Sequence, residues 1–210
     1  MKKSLVPFCL TLIIFIGSAG VSGSAKSYKD YCLYPPKHSH WPIAGKCSSA
    51  YRNGYYETAL REWKPLAKQG NADAQFNLGH VYRRGHGVPK DYKTAVKWYR
   101  LAAEQGHAPA QTSLGVRYKK GQGVPRNTNT ALKWYKLAAK QGYAPAQHNL
   151  GNAYVKGRGV EQNYINAYMW YSKAAAQGHK KSKRKQRIVK KYLTPSQLKK
   201  AKALARGNNG

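Results

Sequence analysis

His38-Ser39-His40, followed by Trp41, sets two imidazoles two residues apart. Such a pair can share a metal ion if further ligands come from elsewhere in the chain. No third ligand is identifiable, the other reading is a polar loop, and no metal site is assigned. Carboxylates are scarce, with seven Asp and Glu in 210 residues. Glu57 and Glu62 stand five apart, a spacing that does not face them across one side of a helix. Acid–base chemistry by paired carboxylates therefore has little to work with. The other histidines are His80, His86, His107, His148 and His179. His107 and His179 share a position that Asn71 and Tyr143 also occupy, which points to packing or surface rather than catalysis. No nucleophile–base pair emerges, so no catalytic residue, cofactor or metal is expected. A cell-wall hydrolase stands as a distant third reading.

The sulfur chemistry depends on the compartment. Lys2 and Lys3 precede an apolar run over residues 5–16, and small residues follow. This is the order of a secretory signal peptide over residues 1–25, cut after Ala19 or Ala25. An uncleaved anchor is the alternative, although the run is short for a membrane span. Cleavage removes Cys9 and leaves Cys32 and Cys47 in the segment 26–50. In an oxidising compartment these two pair as one disulfide, which would constrain the unfolded chain by about 3 kcal/mol. Two free thiols are the other option. The mature protein is expected to be periplasmic or secreted, monomeric, and without a transmembrane span.

The elements that must position any site come from repetition. "WYRLAAEQGHAPAQTSLG" from Trp98 and "WYKLAAKQGYAPAQHNLG" from Trp134 differ at five of 18 places. A shift of 36 residues superimposes blocks 72–107, 108–143 and 144–179. Within them Ala74, Leu78 and Tyr82, with their counterparts, fall at i, i+4 and i+8 on one helical face. That first helix stops at Gly85, Gly121 and Gly157, residues able to adopt the left-handed conformation. Asp91, Asn127 and Asn163 stand as N-caps of a second helix, which carries Trp98, Tyr99, Ala102 and Ala103. Pro109 and Pro145 suit the first turn of the following hairpin. Gly79 and Ala102 are expected to let backbones approach, with Tyr82 and Trp98 filling the space between hairpins. One hairpin cannot bury both of its faces, so neighbours must stack. The repeated tryptophans are therefore assigned to the core rather than to a ligand box.

Residues 51–71 read as a degenerate first repeat and residues 180–210 as basic C-terminal helices. Thr194-Pro195-Ser196-Gln197 has the order of a capping box, and Gly207 to Gly210 should fray.

The combination A-x-A-Q-x-x-L-G, G-x-G-V and W-Y-x-x-A-A-x-Q-G at fixed offsets resembles the Sel1-like repeat family, a branch of the tetratricopeptide superfamily. The resemblance covers residues 51–179, and the LTPSQ helix is similar to a C-terminal cap of exported bacterial members. It implies an all-α, right-handed α-solenoid of stacked helical hairpins with a C-terminal capping helix. It also implies a non-enzymatic scaffold or adaptor at the cell envelope or a host interface. Cysteine pairs occur in the repeats of some members and are missing from these repeats. Thr128 stands where the other blocks have Tyr92 and Tyr164, which unsettles packing of the middle loop.

Charge is the remaining signal. The chain has 38 Lys and Arg and a formal charge of +31. Block 108–143 holds seven basic residues and no acid, and the tail from Lys180 holds twelve and no acid. Such a field attracts anionic partners, although a basic bias across the source's whole protein set would give the same balance. Two surfaces follow. The first is a concave groove lined by the first helices, with His80, Arg83, Arg84, Arg117, Lys119, Lys120, Asn152 and Lys156 as readers of an acidic protein or peptide segment. The second is the tail, where Lys180, Lys181, Lys183, Arg184, Lys185, Arg187, Lys190 and Lys191 would meet lipid headgroups or cell-wall polymer. Nucleic acid is not expected, because Tyr192 is the one aromatic interleaved with those cations.

Overall fold

The structure is a computed structural model that describes residues 50–207. The signal segment, the Cys32–Cys47 pair, His38 and His40 lie outside the described residues, as does most of the terminal stretch expected to fray.

Nine helices follow the described chain's opening turn, and no strand occurs among the described residues. They are α1 (Tyr56–Lys68), α2 (Ala72–Arg84), α3 (Tyr92–Glu104), α4 (Ala108–Lys120), α5 (Thr128–Lys140), α6 (Ala144–Lys156), α7 (Tyr164–Ala176), α8 (Lys180–Lys190) and α9 (Pro195–Arg206). From α1 to α8 each helix packs on the next, so α2–α3, α4–α5 and α6–α7 are hairpins stacked in sequence order, and α9 turns back to pack on α7. This is the expected all-helical solenoid. None of these helices is long and apolar enough to cross a membrane.

Local chemistry sets the ends. Gly85, Gly121 and Gly157 take φ of 75°, 67° and 58°, closing the first helix of each hairpin. Asn127 Oδ1 accepts from the Thr130 amide at 2.9 Å, and Asn163 does the same for Asn166 at 2.9 Å. The position shared by Asn71, His107, Tyr143 and His179 also proves to be an N-cap. Asn71 Oδ1 accepts from Ala74 N–H at 2.8 Å, and His107 Nδ1 accepts from Ala110 N–H at 3.2 Å. His107 Nε2 then donates to Asp73 at 3.0 Å, which fixes the tautomer. Tyr143 fills the same position without a side-chain cap. The capping box forms at α9, with Thr194 and Gln197 serving each other's backbone amides.

Packing corrects one expectation. Tyr99, Tyr135 and Tyr171 fill the hairpin interior, while Trp98, Trp134 and Trp170 are half-buried and pack, as expected, on the core between neighbouring units. Gly79, Gly115 and Gly151 make room for those tyrosine rings rather than for a second backbone. The apolar core divides into four clusters along the array, as expected for a solenoid whose units touch only their neighbours. A ladder of amides joins them. Gln75, Gln111 and Gln147 donate to Ala67 O, Ala103 O and Ala139 O at 3.0, 3.1 and 3.3 Å. Their own Oε1 atoms accept from Gln105, Gln141 and Gln177 at 2.7, 2.9 and 3.0 Å. The conserved-spacing glutamines thus bind each unit to the one before it.

Candidate functional site

A concavity bordered by cations lies where α4, α5 and α6 meet. It is a cleft of about 400 Å³. Lys119 and Lys120 come from the last turn of α4, Arg126 from the following loop, Lys156 from the end of α6 and Arg158 from the loop after it. Thr128, Ala131, Leu132 and Tyr135 from α5 and Asn149, Asn152 and Ala153 from α6 complete the lining. Five cations and no carboxylate therefore border one space. Burial, followed by the nearby charges of Arg158, Lys156 and Lys120, pushes the pKa of Lys119 down. An anion entering the cleft would relieve that repulsion. Asn152 accepts a hydrogen bond from the Tyr171 hydroxyl at 2.9 Å, which holds its amide in place.

Four of the eight residues expected in the groove are brought together here: Lys119, Lys120, Asn152 and Lys156. Of the other four, His80, Arg83 and Arg84 belong to the preceding hairpin, and Arg117 lies on α4. Arg84 is exposed and Arg83 half-buried, with Arg83 Nη2 donating to His80 Nδ1 at 3.3 Å. Burial first, then Arg83, Arg84 and Arg117, pushes the His80 pKa down to about 3, so the ring is neutral at ordinary pH. Arg117 is not a surface reader: it is 7% exposed, and its guanidinium lies 5.6 Å from the Tyr92 ring centroid. It stands on the inward side of α4, where desolvation pushes its pKa down.

In the tail, Lys180, Lys181, Lys183, Arg184, Arg187, Lys190 and Lys191 are exposed, and Lys185 is half-buried. They surround Ser182 and Val189, which bury against the array. Ser182 Oγ lies 2.9 Å from His148 Nδ1 and 2.8 Å from His179 Nδ1. A serine between two imidazoles has the look of a nucleophile, but this one is fully buried and ties α8 to α6. Among the described residues, no three His, Cys, Asp or Glu side chains gather where they could hold a metal ion.

A family model described as Sel1 repeat matches residues 72–107, 108–143 and 144–179, half of the chain. The chain belongs to the Sel1 repeat family. Among solved structures, it is similar to a Sel1 repeat protein from Oxalobacter formigenes, at 39% identity and a TM-score of 0.62. That match covers 65% of this chain and 56% of the other. It is also similar to c5321, a protective antigen present in uropathogenic Escherichia coli strains displaying an SLR fold, at 29% identity and a TM-score of 0.54. There the match covers 76% of this chain and 44% of the other, so the chain spans about half the length of these solved relatives. Comparison with curated proteins gives no match.

Within the Sel1 frame, the motif residues explain stacking and the cleft residues vary. Arg126, Arg158, Asn149 and Tyr135 were not singled out in the sequence as site residues. The first two sit in the inter-helix loops, which the helical periodicity of the first helices does not reach.

Proposed function

We propose that this Sel1 repeat protein is a non-enzymatic scaffold that binds an acidic protein segment through the face carrying the α4–α5–α6 cleft. The observation that carries this reading is the union of Lys119, Lys120, Arg126, Lys156 and Arg158 around one space lined by no carboxylate. Opposite charge on a partner would steer association and fix its register. The leader-like residues 1–25 support export, so the partner is sought in the cell envelope or outside the cell. Pull-down from envelope and secreted fractions should recover a partner with an acidic segment. Lys119→Glu/Lys120→Glu/Lys156→Glu should lose it, and a partner indifferent to those changes would remove the cleft from the account.

A second reading rests on α8 and the turn after it. Ile188 and Tyr192 are 42% and 61% exposed amid the tail cations, an arrangement suited to the headgroup region of an anionic membrane or to a cell-wall polymer. Loss of salt-sensitive vesicle binding on Ile188→Ser/Tyr192→Ser would support it. Vesicle binding unaffected by those changes would leave only diffuse charge.

A further inference from the structure

We propose that the cleft is a side-chain pocket, specific to the junction of the second and third repeats, that receives a carboxylate-bearing residue of an acidic peptide segment. The proposal deepens the scaffold reading above and rests on it. Its basis is what the same place holds at each junction. Tyr92, Thr128 and Tyr164 are equivalent in the 36-residue frame, and so are Arg117, Ala153 and Val189. At the first junction, Arg117 lies over Tyr92 at 5.6 Å and fills the space. At the last, Val189 is buried and Tyr164 stacks on Tyr192 with centroids 4.9 Å apart. At the middle junction both places hold small residues, Thr128 and Ala153, and there the cleft of about 400 Å³ opens. The pocket is thus an omission from the repeat pattern, not a general property of the stack.

Its chemistry is asymmetric. Ala131, Leu132 and Ala153 give it an apolar floor suited to a methylene stem. Lys119, Lys156 and Arg158 give it cations for the head of that side chain. Tyr135, which also lines it, is 2% exposed, and its hydroxyl has no hydrogen-bond partner among the described residues. The equivalent Tyr171 hydroxyl donates to Asn152, whereas Val116 stands at that place for Tyr135. Tyr135 is therefore a donor still lacking an acceptor in a residue of the pocket wall. A glutamate side chain supplies both the stem and the acceptor. Lys120 and Arg126 at the same opening meet the acidic neighbours of that residue.

The test is fluorescence anisotropy with fluorescein-labelled hexaglutamate, against hexaglutamine, at several salt concentrations. Thr128→Tyr/Ala153→Arg installs the pair that the first junction already carries, so it fills the pocket while adding positive charge. Binding weaker by about tenfold or more supports the pocket, because charge alone would tighten it. If thermal unfolding shows the double variant misfolded, Ala153→Leu fills the space without a charge and is read in its place. Unchanged or tighter binding in the filled variant overturns the pocket. The wider scaffold reading then survives only if Lys119→Glu/Lys156→Glu still abolishes binding, and both fall if it does not. Inorganic phosphate displacing the peptide at lower concentration than free glutamate would assign the space to phosphate and likewise overturn the proposal.

Discussion

Tyr135 lies directly over Gly115: a Cβ added to that glycine would come within 2.6 Å of the ring carbon Cε1. Gly79 under Tyr99 and Gly151 under Tyr171 repeat the relationship. Each pair joins the two helices of one hairpin, which sets how closely they pack before any neighbour is added. The order of the repeats along the array then decides which surface is presented where.

Gly115→Ala should lower stability by about 1–3 kcal/mol, because the tyrosine ring must leave its rotamer or the helices must separate. Urea unfolding measures this. Ala at Gly115 without loss of midpoint would mean that Tyr135 does not hold the hairpin closed.

Gln111→Leu should cost about 1–3 kcal/mol, since it strips a partner from the Ala103 carbonyl and from the Gln141 amide within a packed junction. The loss should appear in thermal unfolding as a lowered midpoint. Gln141→Ala should cost less, because Gln141 is exposed and its partner Gln111 retains the bond to Ala103.

The frame was legible in the residues, but the site was legible only in part. Glycine stops, Asx caps and the 36-residue period each follow from backbone rules that act within a few residues, so the helices fall where those rules put them. That the Tyr99 ring, and not a second backbone, would fill the space over Gly79 was not legible. Adjacent aromatics on one helix differ by a rotation of the helix, and only the docked partner, Gly79, decides which turns inward. Arg117 was placed outside for the same reason: its charge suggested solvent, while its position faces Tyr92. The cleft did leave a trace in the sequence, since Thr128 interrupts the Tyr92–Tyr164 pattern. Its second half, Ala153 opposite Arg117, acquires meaning only when both residues are seen at one junction.

Acid should loosen the junction between the third repeat and the tail. Burial, with neighbouring His179, Lys181, Lys185 and Lys119, pushes the His148 pKa down to about 4, and burial and Lys181 lower that of His179. Unfolded histidine titrates near 6.5. Above that value neither state takes up the proton. As pH falls from about 6.5 toward about 4, the unfolded chain binds protons that the folded one refuses, so stability declines across that window. His80, held neutral down to about 3, adds to the decline in the same direction. Unfolding midpoints at pH 7.5 and pH 5 should differ, and His148→Gln should narrow the difference. A pH-independent midpoint would contradict the neutral His148–Ser182–His179 arrangement.

The central claim is that the cleft side of the array holds an acidic segment of a partner protein. Site-specific photocrosslinking in the native cell tests it most directly, with the crosslinker placed at Lys120 on the cleft rim and, as control, at Lys133 on the exposed side of α5. The account predicts a discrete adduct from Lys120 alone, whose crosslinked peptide is rich in Asp and Glu. An adduct of equal yield from Lys133, or a crosslinked peptide with no acidic cluster, would contradict it.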